Sequence, residues 1–173
     1  MKRAIQMALL SSCAGLGLGG AATLETEAAL RPLSIEALAA RSDVVVIGRV
    51  SGVESRWTEW EGIGRLIVTR CTLTVEEVLG GEARPEERLA VEIPGGTVGD
   101  LTLVVSDAPA LVPGERAVFF LRDAGDAHRV YGLERGRIAL DGDRVAARAS
   151  EDPDPLPTLD EIRRAAKASA RPR

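Results

Sequence analysis

The clearest constraint on the fold is a stretch in which apolar and polar side chains alternate. One face of an extended chain there would carry Ile67, Thr69, Cys71, Leu73 and Val75. Alternation with a period of two residues predicts a β-strand with one buried face. The phase then slips by one residue at Glu76-Glu77 before Val78-Leu79 resumes. A slip of this kind indicates a β-bulge or the end of the strand.

Other short strands are predicted between clusters of turn residues. A β-branched run predicts a buried strand over residues 44–54, and residues 89–93 alternate in the same way as the first stretch. Residues 117–121 are apolar on both faces, which is typical of a strand at the centre of a sheet. Further short strands are expected at 101–105 and 130–133.

A β-hairpin is predicted near the end of this strand-rich region. Asp141-Gly142 is a dipeptide that favours a two-residue loop in a type I′ turn. Such a turn would place Leu140 opposite Asp143 and Ile138 opposite Val145. The side chains of Ile138 and Val145 would then lie together on one face.

One short helix is predicted at each end of the strand-rich region. Ser34 can accept a hydrogen bond from a free amide group at a helix start, and that helix is expected to end near Arg41. Thr158 and Glu161 have the spacing of a capping box, which predicts a second helix at the C-terminus. Many short strands flanked by two helices predict a mainly β protein, built as a small antiparallel barrel or sandwich.

The first residues of the chain have the order of a secretory signal peptide. Lys2 and Arg3 are followed by a small and apolar run over residues 4–18, and small residues end at Ala22. We therefore expect cleavage near Ala22 and a periplasmic or extracellular mature protein. Two alternatives remain: the run stays as a membrane anchor, or a lipobox-like segment ends in a lipidated Cys13 and makes a lipid-anchored envelope protein.

Changes in composition divide the chain into five segments. The expected segments are a signal peptide (1–22), an N-terminal segment with a short helix (23–42), a β-barrel domain (43–148), a linker (149–157), and a C-terminal helix with a tail (158–173). No second apolar run of spanning length follows Leu24, so the mature form is not expected to span a membrane.

Charge and cysteine content narrow the classes of partner. The chain has 22 basic and 26 acidic residues, and removal of Lys2 and Arg3 with the leader leaves 20 − 26 = −6. An acidic protein is poorly suited to bind nucleic acid, which requires clustered lysine and arginine.

Only Cys71 would remain after cleavage, so no internal disulfide can form, and its place on an apolar strand face predicts a buried, inert thiol.

The residues that usually perform catalysis are scarce. His128 is the only histidine, and one histidine with one buried cysteine cannot complete the usual zinc sites. No motif indicates a nucleophilic serine. Glu76 and Glu77 would point to opposite strand faces unless a bulge realigns them. We therefore expect no enzyme and no cofactor, with a hydrolase-type enzyme using Glu76, Glu77 or His128 as the alternative.

A glycine-rich segment follows the predicted strand at 89–93. Gly95, Gly96 and Gly99 resemble a phosphate-binding loop only in composition, because they do not open a helix. Glycines that turn the chain at a corner of the barrel are the favoured interpretation.

Two tryptophans are the strongest candidates for a binding site. Trp57 and Trp60 lie three residues apart in a polar, glycine-containing segment over 55–64 that is predicted to be a loop. Tryptophan is enriched where binding energy concentrates, so an exposed pair would form a contact patch for a protein or a glycan. The alternative is that both rings fold back and cover the open end of the barrel.

The order of four segments resembles a known group of proteins. The segments are Ser42–Val50, Val75–Gly81, Val91–Gly96, and Pro113–Glu115 with the strand at 118–121 after it. This order looks like a group of exported bacterial proteins of unknown function. More distantly, it is similar to the netrin-like module of tissue inhibitors of metalloproteinases. The resemblance implies an OB-like (netrin-like) barrel over about residues 43–145.

The same resemblance implies a binding role, with protease inhibition as one version of it. The eukaryotic inhibitors begin at a disulfide-bonded cysteine that binds the zinc ion of the protease. This chain offers no such cysteine after cleavage, so that mechanism is not carried over to any residue. The expected function is an exported, non-catalytic binding module for a protein in the envelope or outside the cell.

Overall fold

The computed structural model describes residues 33–60, 62–146 and 156–169. The predicted signal peptide, Cys13 and most of the predicted linker lie outside these residues. The helices are α1 (Ile35–Ala40) and α2 (Leu159–Ser169), with a short 3-10 helix at Leu133–Gly136. The strands are β1 (Val44–Trp60), β2 (Gly64–Gly81), β3 (Arg88–Pro94), β4 (Gly96–Val98), β5 (Leu101–Leu103), β6 (Arg116–Asp123), β7 (His128–Val130), β8 (Arg137–Asp141) and β9 (Arg144–Val145).

Both predicted helices are present with the expected caps. The Ser34 hydroxyl accepts a hydrogen bond from the Ala37 amide at 3.2 Å, at the start of α1. The Thr158 hydroxyl accepts from the Glu161 amide at 3.3 Å, and the Glu161 carboxylate accepts from the Thr158 amide at 2.8 Å. This reciprocal pair is the predicted capping box and fixes the start of α2.

Five strands form a barrel-like ring inside a large mixed sheet. β1 pairs with both β2 and β6, β2 with β3, β3 with β7, and β7 with β6. All these pairs are antiparallel except β3–β7, which is parallel. The expectation of an antiparallel barrel is therefore corrected to a mixed one. A ring with an odd number of strands cannot alternate direction all the way round, so one pair of neighbours must run parallel.

The ring is not closed evenly along its length. β7 pairs with β6 at residues 121–123, whereas β8 pairs with the same edge of β6 at residues 117–119. The parallel contact between β3 and β7 comprises only two residue pairs. The barrel is therefore closed at the level of residues 121–123 of β6, where β7 lies between β6 and β3. At the level of residues 117–119 it is open between β3 and β8.

The sheet buries apolar side chains on both faces, as the run at 117–121 predicted. Phe119 lies inside the ring with side chains such as Val46 and Leu73. Phe120 points outward and packs with Leu38 of α1 and with apolar residues of α2. Both phenylalanines are fully buried, so β6 is a central strand and the two helices cover the outer face beside it.

The slip at Glu76-Glu77 is a β-bulge. Ile47 lies opposite Glu77 and Gly48 lies opposite Val75, which leaves Glu76 as an extra residue in β2. The bulge lets Val75 and Val78 both face the inner core, because one additional residue resets the alternation.

Three local predictions were wrong or misplaced. The loop of the predicted hairpin is Gly142-Asp143, because Asp141 pairs with Arg144 and Leu140 pairs with Val145. Gly142, the first residue of this loop, has a left-handed φ of 56°. The strand expected at 130–133 lies at 128–130, and a 3-10 helix follows it. The segment over 55–64 is mostly strand rather than loop, since β1 reaches Trp60 and β2 begins at Gly64.

Candidate functional site

The long hairpin of β1 and β2 extends past the other strands of the ring. Pairing between β2 and β3 begins at Val68, whereas β1 and β2 stay paired as far as Trp60 and Gly64. Four residues of each strand therefore lie beyond the ring, a length of about 13 Å. We call this part, residues 57–60 and 62–67, the hairpin end. Its polar and glycine residues suggested a loop because much of it faces solvent.

The two tryptophans lie on opposite faces of the hairpin end. They are three residues apart in a regular part of β1, and successive strand residues alternate between faces. Trp57 is 39% exposed, with the guanidinium carbon of Arg65 lying 5.1 Å from its ring centre. Trp60 is half-buried and lies over Arg129 of β7, 3.9 Å from the guanidinium carbon. The structure therefore does not bring the two rings together as one patch.

A second hairpin, formed by β4 and β5, packs against the first. The Thr97 amide donates a hydrogen bond to the Ser55 hydroxyl at 3.2 Å. At Gly96 a Cβ atom would lie 2.3 Å from the Ser55 hydroxyl oxygen, so only glycine permits this approach. The glycine-rich segment thus turns the chain and continues as a strand, β4, which begins at Gly96.

Exposed large apolar side chains concentrate on these two hairpins. The described residues include six such side chains, and four of them lie on the hairpins or directly after β5: Trp57, Ile63, Leu101 and Val104. Of these, Ile63 is 72% exposed at the tip of the hairpin end. Apolar side chains that are gathered on one part of a surface mark interaction sites more often than scattered ones do.

The outer face of β2 and β3 holds a cluster of charged residues. Glu92 is only 5% exposed, and its Oε1 accepts hydrogen bonds from Arg56 at 2.7 Å and from Arg70 at 3.2 Å. Arg70 also reaches Asp126, whose carboxylate is mostly in solvent. The Nε atoms of Arg56 and Arg129 are buried and have no hydrogen-bond partner. Sequence reasoning missed this cluster, because each member is simply a polar residue at an outward strand position.

The residues of the hydrolase alternative are kept apart. The Glu76 carboxylate accepts hydrogen bonds from Arg49 at 3.1 Å and Arg116 at 2.6 Å, and Glu77 binds Arg163 of α2 at 2.8 Å. Burial acts to raise the pKa of Glu76, but the hydrogen bonds and charges of the two arginines outweigh it and lower the pKa below its ordinary 4.5. Glu76 is therefore a poor proton donor at neutral pH.

His128 belongs to another part of the ring. It lies opposite Val91 of β3, which in turn lies opposite Cys71 of β2, five residues from Glu76 along that strand. Cys71 and Glu76 are about 16 Å apart along β2. His128 is also aligned with Val91 on the inner face of the sheet, whereas Glu76 lies on the outer face. The bulge brings Glu76 and Glu77 to the same outer face, but His128 lies near neither of them.

The remaining candidates for reactive groups are buried or committed to ion pairs. Cys71 is 2% exposed, and burial raises its pKa to about 12, as expected for an inert thiol. A surface groove of about 470 Å³ contains Arg49 and Arg116, which are both bound by Glu76. Within residues 33–60, 62–146 and 156–169, no three histidine, cysteine or acidic side chains are grouped as a metal site.

Comparison with known proteins finds no matching family model, no similar curated protein and no similar solved structure. In the part of the chain that the structure describes, no helix is long and apolar enough to cross a membrane. The described residues present two candidate surfaces: the exposed apolar side chains on the two hairpins, and the arginine-rich outer face.

Proposed function

We propose that this protein is an exported, non-catalytic binding module that recognises a protein partner through its two hairpins. The observation that carries the proposal is the concentration of exposed apolar side chains on the hairpin end and the β4–β5 hairpin. A hydrolase role has less support, because Glu76 and Glu77 are bound by arginines and His128 lies elsewhere.

Trp57 is the proposed anchor of this surface. Its ring is large and partly in solvent, and Arg65 supports it from the neighbouring strand. Exposed tryptophans supply much of the binding energy at protein interfaces, because they bury a large area with few rotatable bonds. Trp60 is not part of the proposed anchor, since it packs on Arg129 on the other face of the hairpin end.

We further propose that the ring is an OB-like, netrin-like barrel. Five strands are the number in that class of barrel. The ring order, with β1 next to β6 and the one parallel contact between β3 and β7, supports this assignment. An experimental structure in which β3 and β7 lie apart would argue against it.

Export is also a proposal, and it rests on the leader sequence. The intact mass of the protein recovered from the envelope or the culture supernatant tests it directly. A mass that starts just after Ala22 supports signal-peptide cleavage, whereas a lipid-modified product that starts at Cys13 supports the lipid-anchored alternative. A mass that includes Met1 in a membrane fraction supports a retained anchor.

Capture of the partner tests the binding role. The purified protein and its Trp57→Ala variant are immobilised and incubated with envelope extract and culture supernatant of the producing cells. We expect at least one protein to bind the unmodified chain and to be depleted tenfold or more on the variant. Assaying any captured protein for protease activity tests the inhibitor version that the resemblance implies.

Two controls make the result specific. Val112→Ser changes another exposed apolar side chain, 54% exposed in the loop before β6, and should retain the partner. Far-UV circular dichroism and thermal unfolding of each variant show whether the fold is intact. Equal capture by the unmodified, Trp57→Ala and Ile63→Ser proteins would refute the assignment of the binding surface to the hairpins.

A further inference from the structure

The sheet contains two pairs of arginines that face each other across neighbouring strands. Arg49 of β1 lies directly opposite Arg116 of β6, and Arg122 of β6 lies directly opposite Arg129 of β7. Opposed residues in an antiparallel ladder have Cα atoms about 4.5–5.5 Å apart. Like charges in such positions repel each other and destabilise the sheet.

The first pair is bridged by a carboxylate. Glu76, the extra residue of the bulge, accepts a hydrogen bond from Arg49 with one oxygen and from Arg116 with the other. One glutamate therefore bridges both guanidinium groups, and the bulge that displaces β2 by one residue is what positions it there.

The second pair has no corresponding carboxylate among the residues that the structure describes. Among residues 33–60, 62–146 and 156–169, no acidic side chain forms an ion pair with Arg122 or Arg129. The nearby acids are engaged elsewhere: Glu92 with Arg56 and Arg70, and Asp43 with the Asp123 amide at 2.9 Å. The Arg129 Nε is buried and has no partner.

Aromatic rings hold both guanidinium groups in place. Trp60 lies over Arg129, and Tyr131 lies 5.4 Å from the guanidinium carbon of Arg122. A ring that stacks on the flat face of a guanidinium group leaves the N–H groups at its edge able to donate, which suits a planar two-oxygen acceptor. The rings therefore hold both guanidinium groups in place, and no carboxylate of the described residues pairs with either.

We propose that Arg122 and Arg129 form a binding site for a carboxylate group supplied from outside this chain. The ligand takes the position that Glu76 takes between Arg49 and Arg116, with the guanidinium groups donating to its oxygens. A single negative charge suits the site better than a phosphate dianion, because Glu92 and Asp43 lie beside the pair and already carry negative charge. This site does not depend on the role proposed for Trp57.

Titrations of the ¹⁵N-labelled, exported protein test the proposal through the Nε–Hε signals of its arginines. The probes are acetate, an acetylated and amidated tetraglutamate peptide, the matching tetraglutamine peptide, and inorganic phosphate, at constant ionic strength. We expect acetate or tetraglutamate to shift the Arg122 and Arg129 signals with an affinity on the order of 1–10 mM. The tetraglutamine peptide should shift neither.

Two variants make the result specific. Arg122→Gln should weaken the carboxylate affinity measured from the Arg129 signal by about tenfold or more, since one charged hydrogen-bond donor group is lost. Arg49→Gln, at the pair that Glu76 already bridges, should leave this affinity unchanged. Amide spectra of each variant verify the fold.

The two carboxylate probes distinguish the source of the ligand. Tetraglutamate binding at least tenfold tighter than acetate assigns the site to an acidic protein segment, and equal affinity assigns it to a small carboxylate. The proposal is overturned if neither probe shifts these signals, if phosphate binds more tightly than both, or if Arg122→Gln has no effect. Each of these results leaves the partner capture by Trp57 unaffected, so the two proposals fail separately.

Discussion

The guanidinium carbon of Arg129 lies 3.9 Å from the centre of the Trp60 ring, although Trp60 ends β1 and Arg129 belongs to β7. This contact joins the hairpin end to β7 and separates the roles of the two tryptophans. Trp60 belongs to the packing of the outer face, while Trp57 remains available to solvent.

We therefore expect Trp60→Ala to lower the free energy of unfolding by about 2 kcal/mol, through loss of the cation–π contact and of apolar burial. Trp57→Ala should cost about 0.5–1 kcal/mol, since its ring is more exposed and its arginine contact is longer. Urea unfolding of both variants measures the difference. Equal costs would contradict the assignment of different roles.

Glu92→Gln should destabilise the protein by about 2–3 kcal/mol, because it leaves Arg56 and Arg70 without the buried carboxylate that they share. The cost is below that of a fully buried pair, since Arg56 retains contact with solvent. Asp126→Asn is the matched control: its side chain is 80% exposed, and its removal should change stability by less than about 0.5 kcal/mol.

Glu76 should contribute stability that depends on pH. Its folded-state pKa lies below 4.5, so its stabilising effect is complete above the unfolded pKa and is lost as the pH falls through the folded value. Glu76→Gln should therefore cost about 1 kcal/mol at pH 7, and the difference in stability between the unmodified protein and the variant should shrink as the pH falls below 4.5. Unfolding curves at a series of acidic pH values test this, and a difference that does not shrink as the pH is lowered would contradict it.

Gly96→Ala should loosen the β4–β5 hairpin from β1. Gly96 has a φ of 134°, and the added methyl group would meet the Ser55 hydroxyl, so we expect a cost of about 3 kcal/mol. Gly99→Ala is the control: its φ is 59° and nothing lies within 4 Å, so strain alone should cost about 1 kcal/mol. Partner capture should fall with Gly96→Ala and persist with Gly99→Ala.

Cys71 should resist thiol reagents in the folded protein. Burial holds the thiol protonated at pH 8, because its pKa is raised to about 12. Alkylation by iodoacetamide should proceed only as fast as the protein unfolds, and should become rapid in urea. Rapid labelling of the native protein at pH 8 would show that the strand face around Cys71 is accessible.

Sequence patterns predicted the strands whose two faces differ in polarity and the helices with explicit caps. Ser34, Thr158 and the alternation before Glu76 are local signals, and each one was confirmed. The hairpin near Gly142 was placed one residue early, because glycine and aspartate are both favoured in either position of such a turn.

The candidate site was less predictable, because its contacts join distant strands. The polar residues around Trp57 indicated a loop, since a hairpin that leaves the ring has no consistently buried face to produce alternation. Arg129 lies beside Glu92 and under the Trp60 ring because β7 pairs in parallel with β3. No pattern within one strand indicates that contact, so the charged outer face was invisible to sequence reasoning.

The pairing of β1 with both β2 and β6 also determines the order in which the chain can fold. The β1–β2 hairpin joins neighbouring segments and can form early, but the other edge of β1 stays open until β6 is available much later in the chain. Closure of the ring then requires long-range contacts, which cost more chain entropy than local ones and slow the final step. Until that step, residues 44–49 expose an apolar strand edge, and this interval is when the chain is most prone to associate with itself.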